Sequence, residues 1–286
     1  MGQRMSRRFV AGTTVDDALR ACEEVNREGM SASLDSLGES VTEQSQALRS
    51  AEVYYDLLDE IRRRGLQAHV SLKLTQMGLD LDPGMAERLV CEIVQRAAAA
   101  ESFVRIDMEG SEYTEKTIAM TERIHREAGL AGRVGTVLQA YLYRTEADTE
   151  RLLGQGIRIR LCKGAYKEPA EIAFARKEDV DANYLRLMER MVCSDAPHVF
   201  CGIATHDERI VDRMRALAAE KAIAKTAFEF QMLYGIRRDL QRKLVSEGFG
   251  VRVYIPFGTE WYPYFMRRLA ERPANVLFLA KNFFRA

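Results

Sequence analysis

The chain has 286 residues, 42 Lys+Arg balanced by 42 Asp+Glu, with 47% hydrophobic and 29% charged residues. That apolar share suffices for a sizeable core and excludes bulk disorder, while zero formal net charge argues against a general nucleic-acid binder. No apolar run approaches the ~20 residues of a membrane-spanning helix and no secretory signal opens the chain, so a soluble, cytoplasmic globular protein is expected.

In chain order, Thr14 followed by Asp17 has the form of a capping box, with Val15, Leu19, Cys22 and Val25 on one face of an N-terminal helix. Strand-like runs then recur at Ser31–Leu37, Ala68–Leu74, Phe103–Met108, Gly135–Leu142, Ile157–Cys162, Val199–Thr205, Ala227–Leu233 and Val251–Phe257. Their spacing is near the ~30 residues of a βαβ unit, and the stretches between them carry helical stripes. In Met85–Ala99, for instance, Leu89, Ile93 and Val94 share a face. Eight strands joined by helical crossovers predict an α/β fold, a (β/α)8 TIM-type barrel in one domain over residues 1–286. An extra helix precedes the barrel and a C-terminal helix caps its mouth.

Five cysteines (Cys22, Cys91, Cys162, Cys193, Cys201) without a CxxC pair are expected to be reduced, buried thiols. No GxGxxG, P-loop, HExxH or GxSxG motif is present. Four histidines (69, 125, 198, 206) without an H-x-H pair give no reason to expect a metal.

Chemistry in such a barrel collects at the C-terminal strand ends. These present Lys73, Asp107, Gln139, Arg160 with Lys163, Thr205 with His206, Gln231 and Tyr254. Singly each suits an ordinary polar rim; together they converge on one mouth, as a ligand site would. After the last strand a helix carries Trp261, Tyr264, Arg267, Arg268 and Glu271, with Tyr264 one turn before both arginines. A paired-arginine grip suits a carboxylate or phosphate, although the same spacing suits a solvated basic edge paired with Glu271.

With these elements in place, the sequence resembles the proline dehydrogenase family from about Arg8 onward. The motifs fall in family order: SLKL (71–74), DME (107–109), VLQAYLYRT (137–145), RLCKGAY (160–166), ATHD (204–207), FEFQMLYG (228–235) and YxxRRxxE (264–271). The short Tyr254–Tyr264 spacing is similar to that of monofunctional bacterial members. The resemblance implies oxidation of L-proline to Δ1-pyrroline-5-carboxylate by hydride transfer from C5 to FAD. A quinone-type acceptor is implied for the reduced flavin, reached by transient contact with a membrane surface.

By position, the resemblance implies that Lys73, Arg267 and Arg268 hold the proline carboxylate while Tyr254, Tyr264, Leu161 and Leu233 wall the ring. Asp107 matches the active-site acid and Arg160 the arginine beside the flavin's reactive N5. Met108, Val137, Gln139, Lys163, Gly164, Ala165, Thr205 and His206 match flavin-contacting positions; Glu271 matches either a cofactor contact or a support for the arginine pair. No cysteine or histidine is placed to suggest a covalent flavin link. The chain departs from the family in starting a few residues before Arg8, where members often carry a further helical segment, and in having Lys167 where bifunctional relatives carry an aromatic. The oligomeric state stays open. Two other readings remain: a Schiff-base aldolase using Lys73 or Lys163 as nucleophile, and a non-catalytic ligand-binding barrel.

Overall fold

A computed structural model of the chain describes residues 8–194 and 200–270, the side chains of 267–270 excepted. Eight parallel strands form a closed barrel: β1 (Ser31–Ser36), β2 (Ala68–Leu72), β3 (Val104–Ile106), β4 (Val134–Gln139), β5 (Arg158–Cys162), β6 (Cys201–Ala204), β7 (Phe228–Leu233) and β8 (Gly250–Phe257). The crossovers are α2 (Gln44–Arg64), α3 (Pro83–Ala99), α4 (Ser111–Arg126), α5 (Thr145–Leu153), α6 (Lys177–Val192), α7 (Glu208–Glu220) and α8 (Arg238–Ser246). All the predicted strands are present, most of them shorter than their apolar runs. β4 ends at Gln139 because Thr145 Oγ1 donates to the Gln139 carbonyl (2.5 Å), and the chain turns there. Val199 lies outside the described residues.

The first helix, α1 (Val15–Arg27), starts at the expected capping box. Thr14 Oγ1 accepts the Asp17 N–H, and Asp17 Oδ2 accepts the Thr14 N–H, each at 3.1 Å. Its buried face (Ala18, Leu19, Ala21, Cys22, Val25) packs on β1 and β8. α1 therefore fills the outer slot at the β8–β1 seam, where a helix following β8 would pack in a regular barrel. The helix that does follow β8, α9 (Trp261–Ala270), is left to cover the mouth. Its Tyr264 and Phe265 cluster with Phe9, Val10 and Leu37, against Ile236 and Tyr254 at strand ends. The segment before α1 is strapped to the same end, with the Ala11 N–H donating to the Pro256 carbonyl (2.9 Å). Gly235 (φ +72°) lies so close beneath this strap that a Cβ there would sit 1.7 Å from the Arg8 carbonyl oxygen.

Strand alternation divides the side chains into two populations. Leu34, Leu72, Ile106, Ile159, Leu161, Ile203 and Phe230 are wholly buried against the helices. Each contributes roughly 1.5–3 kcal/mol of transfer free energy. The intervening positions face the axis, and they are mostly polar or charged: Ser33 and Asp35, Ser71 and Lys73, Arg105 and Asp107, Arg158 and Arg160, Glu229 and Gln231, Arg252 and Tyr254. Barrels of this class usually fill that space with branched apolar layers. Two glycines make room for the larger polar groups. A Cβ on Gly202 would lie 2.4 Å from the Gln231 amide, and one on Gly135 would lie 2.9 Å from the Arg105 guanidinium.

All five thiols are free, and burial pushes Cys22 and Cys201 up to about 12. The expectation of buried thiols is corrected for Cys91 and Cys162, which are half-buried, and for Cys193, which is exposed at the C-terminal cap of α6. Among the described residues no helix is long and apolar enough to cross a membrane.

Candidate active site

The inward stripes of six strands meet beneath α9 around Arg160. Its Nη1 donates to Asp107 Oδ1 (2.7 Å), its Nε to Gln231 Oε1 (2.5 Å), and its Nη2 to Ser71 Oγ (3.2 Å) and Ser33 Oγ (3.4 Å). The guanidinium also lies over the Tyr254 ring, 5.3 Å from its centroid. Tyr254 in turn donates its hydroxyl to Asp107 Oδ2 (2.8 Å). Asp107 thus holds the arginine with one oxygen and the tyrosine with the other. Burial, then the Asp107 and Asp35 charges, push the Tyr254 phenol well up, so it is a proton donor throughout the physiological range.

Lys73 lies 3.6 Å from Asp35, and both are buried. Burial alone would lower the lysine's pKa, but the carboxylates of Asp35 and Asp107 outweigh it and hold the ammonium above its usual value. For Asp35, burial raises the carboxyl, Lys73 opposes the shift, and the like charge of Asp107 adds to it. The state best matched to this geometry is an ion pair, since a buried ammonium at contact distance stabilises the carboxylate that burial penalises. Above the pair lies a cavity of ≈ 90 Å³ between Leu37, Gly38, Glu39, Lys73 and Tyr264. The lysine and the capping helix therefore line one space.

Along the β4–β6 side, Gln139 donates to the Glu109 carbonyl (3.0 Å), and Lys163 pairs with Asp181 (2.5 Å) and Asp207 (3.0 Å). Thr205 Oγ1 accepts the Asp207 N–H (3.0 Å). His206 Nε2 accepts the Leu233 N–H (2.9 Å), which implies a proton on Nδ1 and fixes the ring beside the end of β7. Gly164 has φ +122° and presses on Tyr141, where a Cβ would lie 2.4 Å from the ring. Ala165 next to it is exposed, and Met108 and Val137 are buried at the ends of β3 and β4.

The structure gathers Lys73, Asp107, Arg160, Tyr254, Tyr264 and Leu233 at the mouth, with Gln139, Lys163, Gly164, Ala165, Thr205 and His206 along its β4–β6 side. It does not bring Leu161 there. Leu161 follows the inward Arg160, so the pleat turns it outward into the apolar layer, where it is fully buried. Arg267 and Arg268 stand on α9 with side chains outside the described residues, and Glu271 is outside them altogether.

Two functional groups escaped the sequence reading. Asp35 is the buried counter-ion of Lys73, and its signal was present: Ser33 and Asp35 are polar at alternate positions between the apolar Ala32 and Leu34. Glu109 takes the Thr75 hydroxyl (2.6 Å) and N–H (3.2 Å), tying the turn after β2 to the end of β3. Nothing in the local pattern marks that long-range brace.

A closed (β/α)8 barrel with a cationic, carboxylate-buffered pocket at its mouth is the framework of an enzyme for a small anionic substrate. The family model described as proline dehydrogenase matches residues 18–281, and the chain belongs to the proline dehydrogenase family. It is 39% identical to Proline dehydrogenase 2 of Bacillus subtilis (strain 168), covering 96% of this chain and 89% of that one. Proline dehydrogenase of Deinococcus radiodurans is 38% identical over 97% of this chain and 89% of its own. Among solved structures, proline utilization A from Bdellovibrio bacteriovorus, inactivated by N-propargylglycine, superposes with a TM-score of 0.86 at 23% identity. That match covers 93% of this chain and 32% of the longer protein, and it shows a shared fold.

Proposed function

We propose that this protein oxidises L-proline to Δ1-pyrroline-5-carboxylate, the C5 hydride leaving to non-covalently held FAD and a quinone-type acceptor taking the electrons onward. The observation that carries this reading is the cluster of buried Lys73, Asp35, Asp107 and Arg160 with half-buried Tyr254 beneath α9. It joins a carboxylate-binding cation to an aromatic wall in a chain of this family.

The β4–β6 side fits a flavin nucleotide by its donor set. Gln139, Lys163, Thr205 and His206 offer an amide, an ammonium, a hydroxyl and an imidazole at neighbouring strand ends, and Gly164 lacks the Cβ that would close its backbone against Tyr141. The flavin supplies the two-electron acceptor that no side chain can provide. Met108, Val137 and Ala165 extend the same surface.

Lys73, with Arg267 and Arg268, holds the substrate carboxylate, and Tyr254, Tyr264 and Leu233 wall the ring. Asp107 positions Arg160 and Tyr254 through its two oxygens. Arg160 would place fixed positive charge beside the bound flavin, which gains negative charge when it is reduced. The same cationic surroundings lower the pKa of the substrate amine toward the neutral form that hydride loss needs. On this reading the protein works in the cytoplasm and docks transiently at a membrane to pass on electrons.

An aldolase needs a neutral lysine nucleophile, whereas Asp35 holds Lys73 protonated and two carboxylates occupy Lys163. An absorbance spectrum of the purified protein tests the proposal. A yellow protein whose visible bands bleach with anaerobic L-proline is expected, and acid or heat should release all the flavin. A yellow protein that binds proline without bleaching would leave the ligand-binding barrel. A colourless one trapped by borohydride with a carbonyl substrate would leave the aldolase.

A further inference from the structure

We infer that the opposite, N-terminal end of the barrel is a second ligand site, for a metabolite carrying a multivalent oxyanion group, phosphate or carboxylate. This inference does not depend on the reaction proposed for the mouth. A cavity of ≈ 1380 Å³ opens at that end, where the strands begin. Arg133, Arg158, Arg252 and His69 line it, contributed by β2, β5, β8 and the turn before β4. It lies at the far end of the strands from Lys73 and Tyr264.

The described lining carries four arginines, Arg62, Arg133, Arg158 and Arg252, against one carboxylate, Glu101. Arg252 is satisfied by Glu229 (2.6 Å) and the Ala32 carbonyl (2.7 Å). Among the described residues, Arg133 reaches only the Ser102 carbonyl, at 3.5 Å, and no carboxylate. Arg158 pairs with no described carboxylate either. Its guanidinium stacks over Phe103 (5.2 Å) and Phe200 (5.9 Å), and its shielded Nε has no hydrogen-bond partner. His69 is only 6% exposed, and its Nε2 is likewise without a partner. Burial and then the charges of Arg133 and Arg252 lower the pKa of Arg158, so the guanidinium groups are close enough to repel one another.

A purely structural plug accounts for part of this. Phe103 sandwiched by Arg105 and Arg158 packs the barrel floor. It does not account for the like charge gathered there, since Arg133 and Arg158 stand near one another and near Arg252 with no described carboxylate paired to either of the first two. An oxyanion between the guanidinium groups would offset that charge, since their fixed forks match carboxylate and phosphate oxygens two at a time. The cavity exceeds a bare phosphate, so the natural ligand carries a body behind its anionic group.

The test is calorimetric titration of the full flavin-loaded protein with inorganic phosphate, pyrophosphate and citrate at constant ionic strength. A saturating five-membered ring carboxylic acid is kept present to occupy the mouth. One saturable site is expected, with pyrophosphate above citrate indicating a phosphate group and the reverse order a carboxylate. Arg133→Gln and Arg158→Gln should weaken it about 10- to 150-fold, the loss of one charge-assisted hydrogen bond, with affinity for the ring acid unchanged. Arg133 is half-buried at the rim and makes one long contact, so Arg133→Gln decides the matter even if Arg158→Gln does not fold. No saturable binding of any of the three anions, or parent-like affinity in Arg133→Gln, would overturn the inference.

Discussion

At the mouth of the barrel Lys73 faces Asp35 and Arg160 faces Asp107, and the carboxylates hold the lysine charged. At the base, Arg105, Arg158 and Arg252 crowd His69, and burial with those charges holds the imidazole neutral. Both ends are built from the same inward stripe of alternate strand residues. They differ in whether neighbouring strands bring carboxylates to the same level as the cations. β1 and β3 bring Asp35 and Asp107 to the top, while at the bottom, among the described strand residues, Glu229 of β7 answers the arginines by pairing with Arg252. A cation matched by a carboxylate is positioned and available to a substrate, whereas an excess of cations depresses a basic neighbour such as His69. The period of the strand decides which side chains meet, and the acid count at each level decides what they do.

The largest expected effect comes from breaking the pairing at the mouth. Asp35→Ala leaves the Lys73 ammonium buried without its nearest counter-ion, and breaking one side of a buried pair costs ~3–5 kcal/mol. Urea denaturation should show that loss, and Asp35→Ala combined with Lys73→Met should recover much of it. If the single variant loses under ~1 kcal/mol, Asp107 alone suffices to compensate the lysine, and the mouth depends on its ion pairs less than their geometry suggests.

Arg160→Ala removes a preorganised donor to developing charge, which typically costs ~10²–10³ in rate. Anaerobic flavin reduction at saturating proline should slow by that factor in a flavin-replete variant. Because Arg160 is tied to Asp107, Gln231, Ser33 and Ser71, the variant is also expected to lose stability, so the rate is read on protein first shown to be folded. An unchanged reduction rate would reduce the arginine to a structural tie.

A smaller loss is expected at the capping helix. If Arg267 and Arg268 share the substrate carboxylate with Lys73, Arg267→Met and Arg268→Met should each weaken a ring carboxylic acid by ~10- to 150-fold, from ~1.5–3 kcal/mol per charge-assisted hydrogen bond. Arg→Lys should recover only part, because an ammonium lacks the parallel fork. Parent-like dissociation constants in both Met variants would assign the carboxylate to Lys73 alone.

Most of the fold was legible in the sequence, because eight apolar runs at regular spacing leave few topologies. The α1 capping box was legible too, being a contact between residues three apart. The slot that α1 fills was not, since a seam between β8 and β1 joins chain ends over 200 residues apart and leaves no local mark. Within the site, Lys73, Asp107 and Arg160 could be read as strand-end charges, but Asp35 could be reached only by applying strand alternation to β1. Leu161 shows the reverse error. Its place in a motif beside Arg160 suggested the pocket, while the same alternation sends it to the helices. Reading every strand for its inward parity would have found the first and removed the second.

The smallest effect expected is at the base, and it tests the other half of the contrast. His69 is held neutral in the fold, first by burial and then by Arg252, Arg105, Arg160 and Arg158, so its pKa lies well below 6.5. In the unfolded chain it titrates near its ordinary ~6.5. The unfolded state therefore binds the extra proton first on acidification. Stability from the neutral imidazole is fully present above ~6.5 and is lost as pH falls toward the depressed folded value, by about 1.4 kcal/mol per pH unit. At pH ~5.5 this amounts to roughly 1.4 kcal/mol. His69→Gln should remove that slope while adding a pH-independent offset from the lost contact with Phe103, whose ring centroid is 5.3 Å away. Urea midpoints of parent and variant, measured from pH 8 down to 5, should differ by a constant above neutrality and converge below it. Parallel curves throughout would mean that the arginines of the base do not hold His69 neutral, and that the two ends differ less in electrostatics than their arginines suggest.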